Sequence, residues 1–337
     1  AERSLRRALE LNPGHTDARL WLALNHFANR RYRDGYNELV QLFSIDPLFS
    51  PATHNFVSAS LDTGNVDTAI STLANVERLD VDGFEVEALT AIIAARTGDV
   101  ARAVMLLRRA SADTAVNRSS LAAGLAMAAL RIGDTETAES TGMPFAPIRA
   151  ALLRGEDDSA VTQVDRWRIN TGELYFARME WIRTLAVAQR DETLLAYFDE
   201  SFGTLEAYER ELFWPFEAEV PPFYAIAYAA HREGLSDFKA EILERWRRTI
   251  DVGRANGANN FNYDLSDARW YALAGETSKA IDFLEKAGEL TDGLLGLDLD
   301  RDFLITLLAN SERLRPLLTR NRERINQERA ALDLAPF

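Results

Sequence analysis

One pattern is written twice between Leu61 and Ala110, and it limits what this chain can fold into more than any other feature. Gly64, Ala69, Leu73 and Val76 are answered by Gly98, Ala103, Leu107 and Ala110, each displaced by 34 residues. The period reaches back to the first residue. Ala1, Gly35, Ala69 and Ala103 form one ladder, Leu5, Leu39, Leu73 and Leu107 a second, and Ala8, Leu42, Val76 and Ala110 a third. A fourth opens with Pro13 and Pro47 and lapses to Val81 and Ala115, so the helix-stopping proline marks only the first two copies. Chance does not hold three ladders in register over four copies. A period of this length means stacked supersecondary units, each burying its apolar face on its neighbours.

Within a unit, two apolar stretches at helical spacing flank a short polar turn, as in Phe56 to Leu61, then Asp62-Thr63-Gly64-Asn65, then Ala69 to Leu79. That order reads as a helix, a tight turn and an antiparallel helix. Small residues at Ala69 and Ala103 let the two helices approach, and the Leu and Val rungs fill the space between them. A small residue, a large apolar residue four positions on and a small or apolar one three further, at this period, resembles the tetratricopeptide repeat. Residues 1 to about 142 carry the resemblance, with leucine in place of the family's phenylalanine at Leu5, Leu39, Leu73 and Leu107. The family's Trp-Leu-Gly start is reduced to Trp21-Leu22-Ala23 in one copy and Phe56-Val57-Ser58 in the next.

The resemblance implies an all-α fold, a right-handed α-α superhelix of roughly seven or eight antiparallel hairpins with the first truncated. It also implies a non-catalytic scaffold whose partner is another protein or a peptide segment. In the family the first helix of each unit lines the concave face. By register this places Leu20, Leu24 and Phe27, then His54, Ser58 and Leu61, then Ala88, Ile92 and Ala95 in a peptide-binding groove. The lining is mostly apolar and lacks the lysine and asparagine set with which family members clamp a C-terminal carboxylate, so the guest expected is a helix or an extended apolar segment.

Beyond Gly133 and Ala138 the register fails. Thr141-Gly142-Met143-Pro144 cuts a second helix short, and Pro147 opens a reduced unit with Gly155 and Ala160 at the old five-residue offset. From Gly172 to Phe202 the pattern predicts a long helix ending near Gln189 and another through Phe198, with Asp191 as its cap. Residues 203–222 read as irregular, with Trp214-Pro215-Phe216 and Pro221-Pro222-Phe223-Tyr224 punctuating an aromatic cluster. The rhythm returns at Gly234, Leu243 and Trp246, where a helix from about Asp237 to Arg254 outlasts the unit and predicts an enlarged loop from Gly253 to Asn260. Gly275, Ala280, Leu284 and Ala287 form the clearest late copy. Leu297 to Phe303 reads as acidic and turn-like, and Leu304 to Leu332 as a helical stretch rich in arginine. Three segments follow: a regular array over 1–142, divergent hairpins over 143–202, and divergent hairpins with an aromatic break and a C-terminal helix over 203–337.

Composition narrows the function classes. Lys+Arg at 38 against Asp+Glu at 52 gives a net charge of -14, which repels phosphate backbones, so no direct nucleic-acid binding is expected. With no cysteine and with His15, His26, His54 and His231 at no ligand spacing, neither a metal nor a cofactor is expected. Asp298, Asp300 and Asp302 open like a calcium loop, but Phe303 stands where that loop needs glycine and Ala309 where it needs glutamate. A helix-start cluster is the better reading. The tail arginines, Arg313, Arg315, Arg320, Arg322, Arg324 and Arg329, alternate with glutamates and read as a solvated face. The aromatics from Phe213 to Tyr228 read as core, with an enzyme site near 203–230 as the alternative. No catalytic residue is assigned.

No apolar run approaches the roughly 18 residues of a membrane span, so no membrane insertion is expected of this segment. The start at Ala1-Glu2-Arg3-Ser4-Leu5 reads as mid-helix, and the closing Arg322 to Leu332 resembles the tails of bacterial proteins in which a repeat array follows a winged-helix regulator or a nucleotide-cyclase domain. The alternative function is therefore the sensory region of such a protein, with its output domain ahead of Ala1. A cytoplasmic setting is expected, or a periplasmic one if a transmembrane helix precedes. The ladders themselves predict that Ala103→Glu, which buries an unpaired carboxylate, loosens or unfolds the array. A circular-dichroism melt that superimposes on the parent's would show the ladder to be misassigned.

Overall fold

The computed structural model of the chain describes residues 1–47, 49–79, 86–112, 118–213 and 220–337. Val81, Ala115 and Trp214-Pro215-Phe216 therefore lie outside the described residues. Among the described residues the secondary structure is helical throughout. A lone first helix, α1 (Glu2–Leu11), leads into hairpins α2 (Thr16–Ala28) with α3 (Tyr32–Ile45), α4 (Ser50–Asp62) with α5 (Val66–Leu79) and α6 (Val86–Thr97) with α7 (Val100–Ala112). There follow α8 (Arg118–Arg131) with α9 (Thr135–Ser140), α10 (Ala146–Arg154) with α11 (Asp157–Asn170) and α12 (Tyr175–Val187) with α13 (Asp191–Ser201). After an extra helix, α14 (Leu205–Glu211), come α15 (Phe223–Arg232) with α16 (Ser236–Ala255) and α17 (Phe261–Leu273) with α18 (Thr277–Glu289). A short 3-10 helix (Leu297–Arg301), α19 (Phe303–Leu308) and α20 (Leu314–Ala330) close the chain.

The ladders are the seams of these hairpins. Ala69, Ala103, Ala138, Ala160 and Ala280 are fully buried, and Leu39, Leu73 and Leu107 are buried beside them. Each small rung sits where the second helix crosses its partner, so a larger side chain would push the helices apart. On α1 the same positions are less covered: Ala1 is exposed, and Leu5 and Ala8 are only half-buried. The turn inside each hairpin depends on one residue of positive φ. It is Gly64, Gly98, Gly133, Gly155, Gly234 and Gly275 in six hairpins, and Arg30 and Gln189 in the other two.

The array does not stay open. The turns of the first five hairpins form a row, and the last third of the chain runs along it in the same order. The Arg33 amide donates to the Asn256 carbonyl at 2.7 Å, and the Asn259 amide to the Asp62 carbonyl at 2.9 Å. Gly98 lies so close to Thr291 that a β-carbon on it would stand 2.0 Å from the Thr291 carbonyl oxygen. A β-carbon on Gly133 would stand 2.7 Å from the Leu297 side chain. At the fifth turn Arg301 donates to the Leu152 carbonyl at 3.1 Å and to both Asp157 carboxylate oxygens. The tail follows: Arg324 reaches the Gly98 carbonyl, Arg329 the Ile132 carbonyl, and Glu328 accepts from the Ala101 amide in the first turn of α7.

Three expectations change. Asp191 is the first residue of α13 and not its cap; its carboxylate is held by Arg232 through two hydrogen bonds. The stretch from Leu304 to Leu332 is two helices, because Pro316 is tolerated only in a first turn and forces the chain to restart just before it. The tail arginines are a solvated face only in part: Arg313, Arg315 and Arg320 are exposed, whereas Arg322, Arg324 and Arg329 are half-buried. Arg313 pairs with Asp282 and Glu285, Arg322 with Asp300, and Arg324 with Glu328 and Asp292. In addition, part of the stretch read as irregular is the helix α14, where Tyr208 is buried and donates to the Pro222 carbonyl at 2.9 Å.

Two glycines separate the cost of the turn from the cost of the closure. Gly275 has positive φ but nothing within 4 Å of where a β-carbon would stand, whereas Gly98 faces backbone. Gly275→Ala is expected to cost about 1–2 kcal/mol, the left-handed penalty alone, and Gly98→Ala at least about 2 kcal/mol more, because main chain has to move. Urea unfolding of the two variants checks this; equal losses would mean that the Gly98–Thr291 contact contributes nothing.

Candidate functional site

The first helices of successive hairpins stack side by side, and equivalent positions meet. The residue eleven places before each small rung is Leu24, Ser58, Ile92, Met127, Arg149 and, in the last hairpin, Arg269. The adjacency is visible where Arg149 Nη1 lies 3.0 Å from Met127 Sδ. The series changes from apolar to cationic along the array.

Of the groove residues expected from the sequence, Leu20, Leu61 and Ala88 are buried. Leu20 packs with Leu39, Leu42 and Ala52, Leu61 with Val57, Ala69 and Leu73, and Ala88 with α7 and α8. Leu24, Phe27, Ser58, Ile92 and Ala95 are half-buried, and His54 is exposed. Phe27 is pressed against Gly35, where a β-carbon would meet the ring at 2.6 Å. The nine lie on three consecutive first helices, α2, α4 and α6.

Farther along, the same face carries a polar network that the sequence reading missed. Arg149 binds Glu180 with two donors at 2.8 and 2.6 Å. Arg269 binds Asp302 at 2.8 and 2.5 Å and lies 4.2 Å over the Tyr224 ring, and Tyr228 donates to the other Asp302 oxygen at 2.8 Å. Extending the eleven-residue offset past Ala138 would have found Arg149 and Arg269. Asp302 also accepts from the Leu304 amide and so caps α19. Of the acidic trio, then, Asp302 caps a helix and Asp300 pairs with Arg322. Among the described residues no group of three or more histidines and carboxylates is placed to hold a metal ion. Phe223 and Tyr228, from the aromatic cluster, are buried in the largest core cluster.

Burial works to raise the Glu180 carboxyl, but the charge of Arg149, its paired hydrogen bonds and the charge of Arg183 outweigh it, and the group falls below its ordinary 4.5. Such a carboxylate contributes stability above the unfolded value, and that contribution is lost as pH falls through the lower folded value.

A second feature forms where the array closes. A cleft of about 860 Å³ opens between α3, the turn after α4 and the α16–α18 end of the chain. Arg33, Tyr36, Asn37, Thr63 and Asn65 line one side; Arg247, Asp251, Arg254, Asp267, Tyr271, Phe283 and Lys286 line the other, with the loop Gly257-Ala258-Asn259 between. Its cations are held from behind. Asp267, buried, accepts from Arg247 at 2.7 Å and Arg254 at 2.8 Å; Asp264, fully buried, accepts from Arg254 and from Lys286 at 2.9 Å. Tyr271 and Phe283 stack as one flat shelf, ring centres 5.4 Å apart and 12° from parallel.

Removing one member of the Arg149–Glu180 pair leaves a buried charge alone, so Arg149→Met is expected to cost about 3–5 kcal/mol, and Arg149→Met with Glu180→Leu to recover most of that. Glu180→Gln should flatten the fall of stability below about pH 4.5 that the parent shows. Urea unfolding at pH 7 and at pH 3.5 checks both; no recovery in the double variant would show that the pair does more than balance charge.

No family model matches the chain, and no curated protein matches it. Among solved structures it is similar to the TPR domain of P58(IPK), with 13% identity over 92% of this chain and 93% of that one and a TM-score of 0.24. It is similar to yeast Tom70, with 12% identity, 95% and 96% covered and a TM-score of 0.29. In the complex of Naa15/Naa10 bound to HypK-THB the match has 15% identity, 98% of this chain and 65% of that one, and a TM-score of 0.28. On its own period, hairpins and buried ladders, the chain is an α-α superhelix of tetratricopeptide-like units.

Proposed function

We propose that the chain is a scaffold module that takes a peptide or helix of another protein along its stacked first helices. The observation that supports this reading is the register series from Leu24 through Ser58 and Ile92 to Met127 and Arg149, whose last two members lie side by side. A preformed track costs little to order when a guest binds. Leu24, His54, Ser58, Ile92 and Ala95 would touch the guest, while Leu20, Phe27, Leu61 and Ala88 support them from the hairpin seams.

His54→Glu with Ser58→Arg alters the accessible part of the track, and Ser71→Arg on the exposed side of α5 is the control. Affinity capture with crosslinking and mass spectrometry is expected to lose a partner with the double variant and keep it with the control. A partner retained equally by both, with crosslinks away from α2, α4 and α6, would overturn the reading.

A further inference from the structure

The cleft at the closure is a place where the two ends of the chain together build a recess lined by cations. We propose that it binds a peptide segment through a carboxylate side chain; this rests on the scaffold reading and names the chemistry of one part of the guest. Charge comes first. Arg33, Arg247, Arg254 and Lys286 face the recess against Asp251 and Asp267, with Asp264 behind, so the site carries one positive charge more than it neutralises. The whole chain carries -14. An anionic segment is repelled over most of the surface and accepted here.

The arrangement is also rigid, since Arg247, Arg254 and Lys286 are fixed by carboxylates that are themselves buried. After those pairs Lys286 keeps two N–H donors, and the exposed Arg33 guanidinium makes no hydrogen bond or ion pair among the described residues. A surplus of one charge matches a carboxylate and not a polyphosphate. The remaining features suit a peptide: Asn37 and Asn259 can pair with main-chain amides, and the Tyr271–Phe283 shelf offers an apolar face for a neighbouring side chain. The volume lies within the range of roughly 300–1,000 Å³ that ligand sites occupy.

The test is fluorescence anisotropy on the full chain with three probes: a capped pentapeptide bearing one glutamate beside a phenylalanine, the same peptide with glutamine, and ATP as competitor. The glutamate peptide is expected to saturate the parent below ~1 mM and to bind at least ~tenfold more tightly than the glutamine peptide. Arg33→Glu should weaken it by ~tenfold or more and Arg33→Lys by less than ~threefold, both with the parent's melting curve, because the Arg33 side chain is exposed. Equal binding of the two peptides, indifference to Arg33→Glu, displacement by ATP at lower concentration, or no saturation would each overturn the proposal. If the peptide fails while partner capture still depends on His54 and Ser58, the cleft assignment falls alone. If the peptide binds as expected and capture ignores those residues, it is the concave-track reading that falls.

Discussion

The contact between Gly98 and the Thr291 carbonyl is the constraint on which the rest of the architecture hangs. A hairpin turn needs one residue of positive φ, and glycine supplies it at least cost. In the first half of this chain some turn glycines do a second thing: lacking a β-carbon, Gly98 lets another stretch of main chain lie against its turn, and Gly64 and Gly133 admit side chains. Gly98 and Gly133 could not accept a methyl group where Thr291 and Leu297 now sit. The loops between α16 and α17 and after α18 are long enough to reach this row, and their own backbone groups find partners there. Buried main chain has to be satisfied, so the docking is directional and not a loose apolar contact.

Helix ends explain the arginines. A helix leaves its last carbonyls without intrahelical partners and with a partial negative charge. The first helices of the third, fourth and fifth hairpins end in the row of turns, and arginines from inside and outside the row reach those carbonyls. Arg131 binds that of Ala95 and also the Leu294 carbonyl of the loop after α18, Arg324 binds that of Gly98, Arg329 that of Ile132 and Arg301 that of Leu152. Glu328 does the reverse at the start of α7, where free amides seek an acceptor. At Arg324, Glu328 and Arg329 the tail thus carries the two charge signs that the two kinds of helix end require.

Hairpin packing and closure set what is left exposed. The seams absorb Leu20, Leu61 and Ala88, and what stays accessible on the first helices is narrower and more polar than the sequence suggested. Along the later units Arg149, Arg269, Glu180 and Asp302 replace the apolar lining, each charge answered by another. At the junction of first and last hairpins the balance tips to a single positive surplus, and a recess exists there only because both ends are present.

Much of this was written in the sequence and some of it could not have been. The period of 34, the small rungs at Ala69 and Ala103, the shortened helix before Pro144, the long helix before the enlarged loop and the late copy at Gly275 are all local patterns, and local packing of a hairpin reads directly from them. Pro316 carried the signal for the break between α19 and α20, and the eleven-residue offset carried Arg149 and Arg269. The cap assigned to Asp191 and part of the solvated face assigned to the tail went the other way, because Arg232, Gly98 and Ile132 stand far off in sequence and nothing local announces them. The sequence by itself determined the unit, its hairpin and the register of one unit on the next, since those depend on residues a few turns apart. Only the tertiary structure decided that the superhelix folds its last third onto its first turns, because that depends on how small angular offsets accumulate over many units until distant backbone meets.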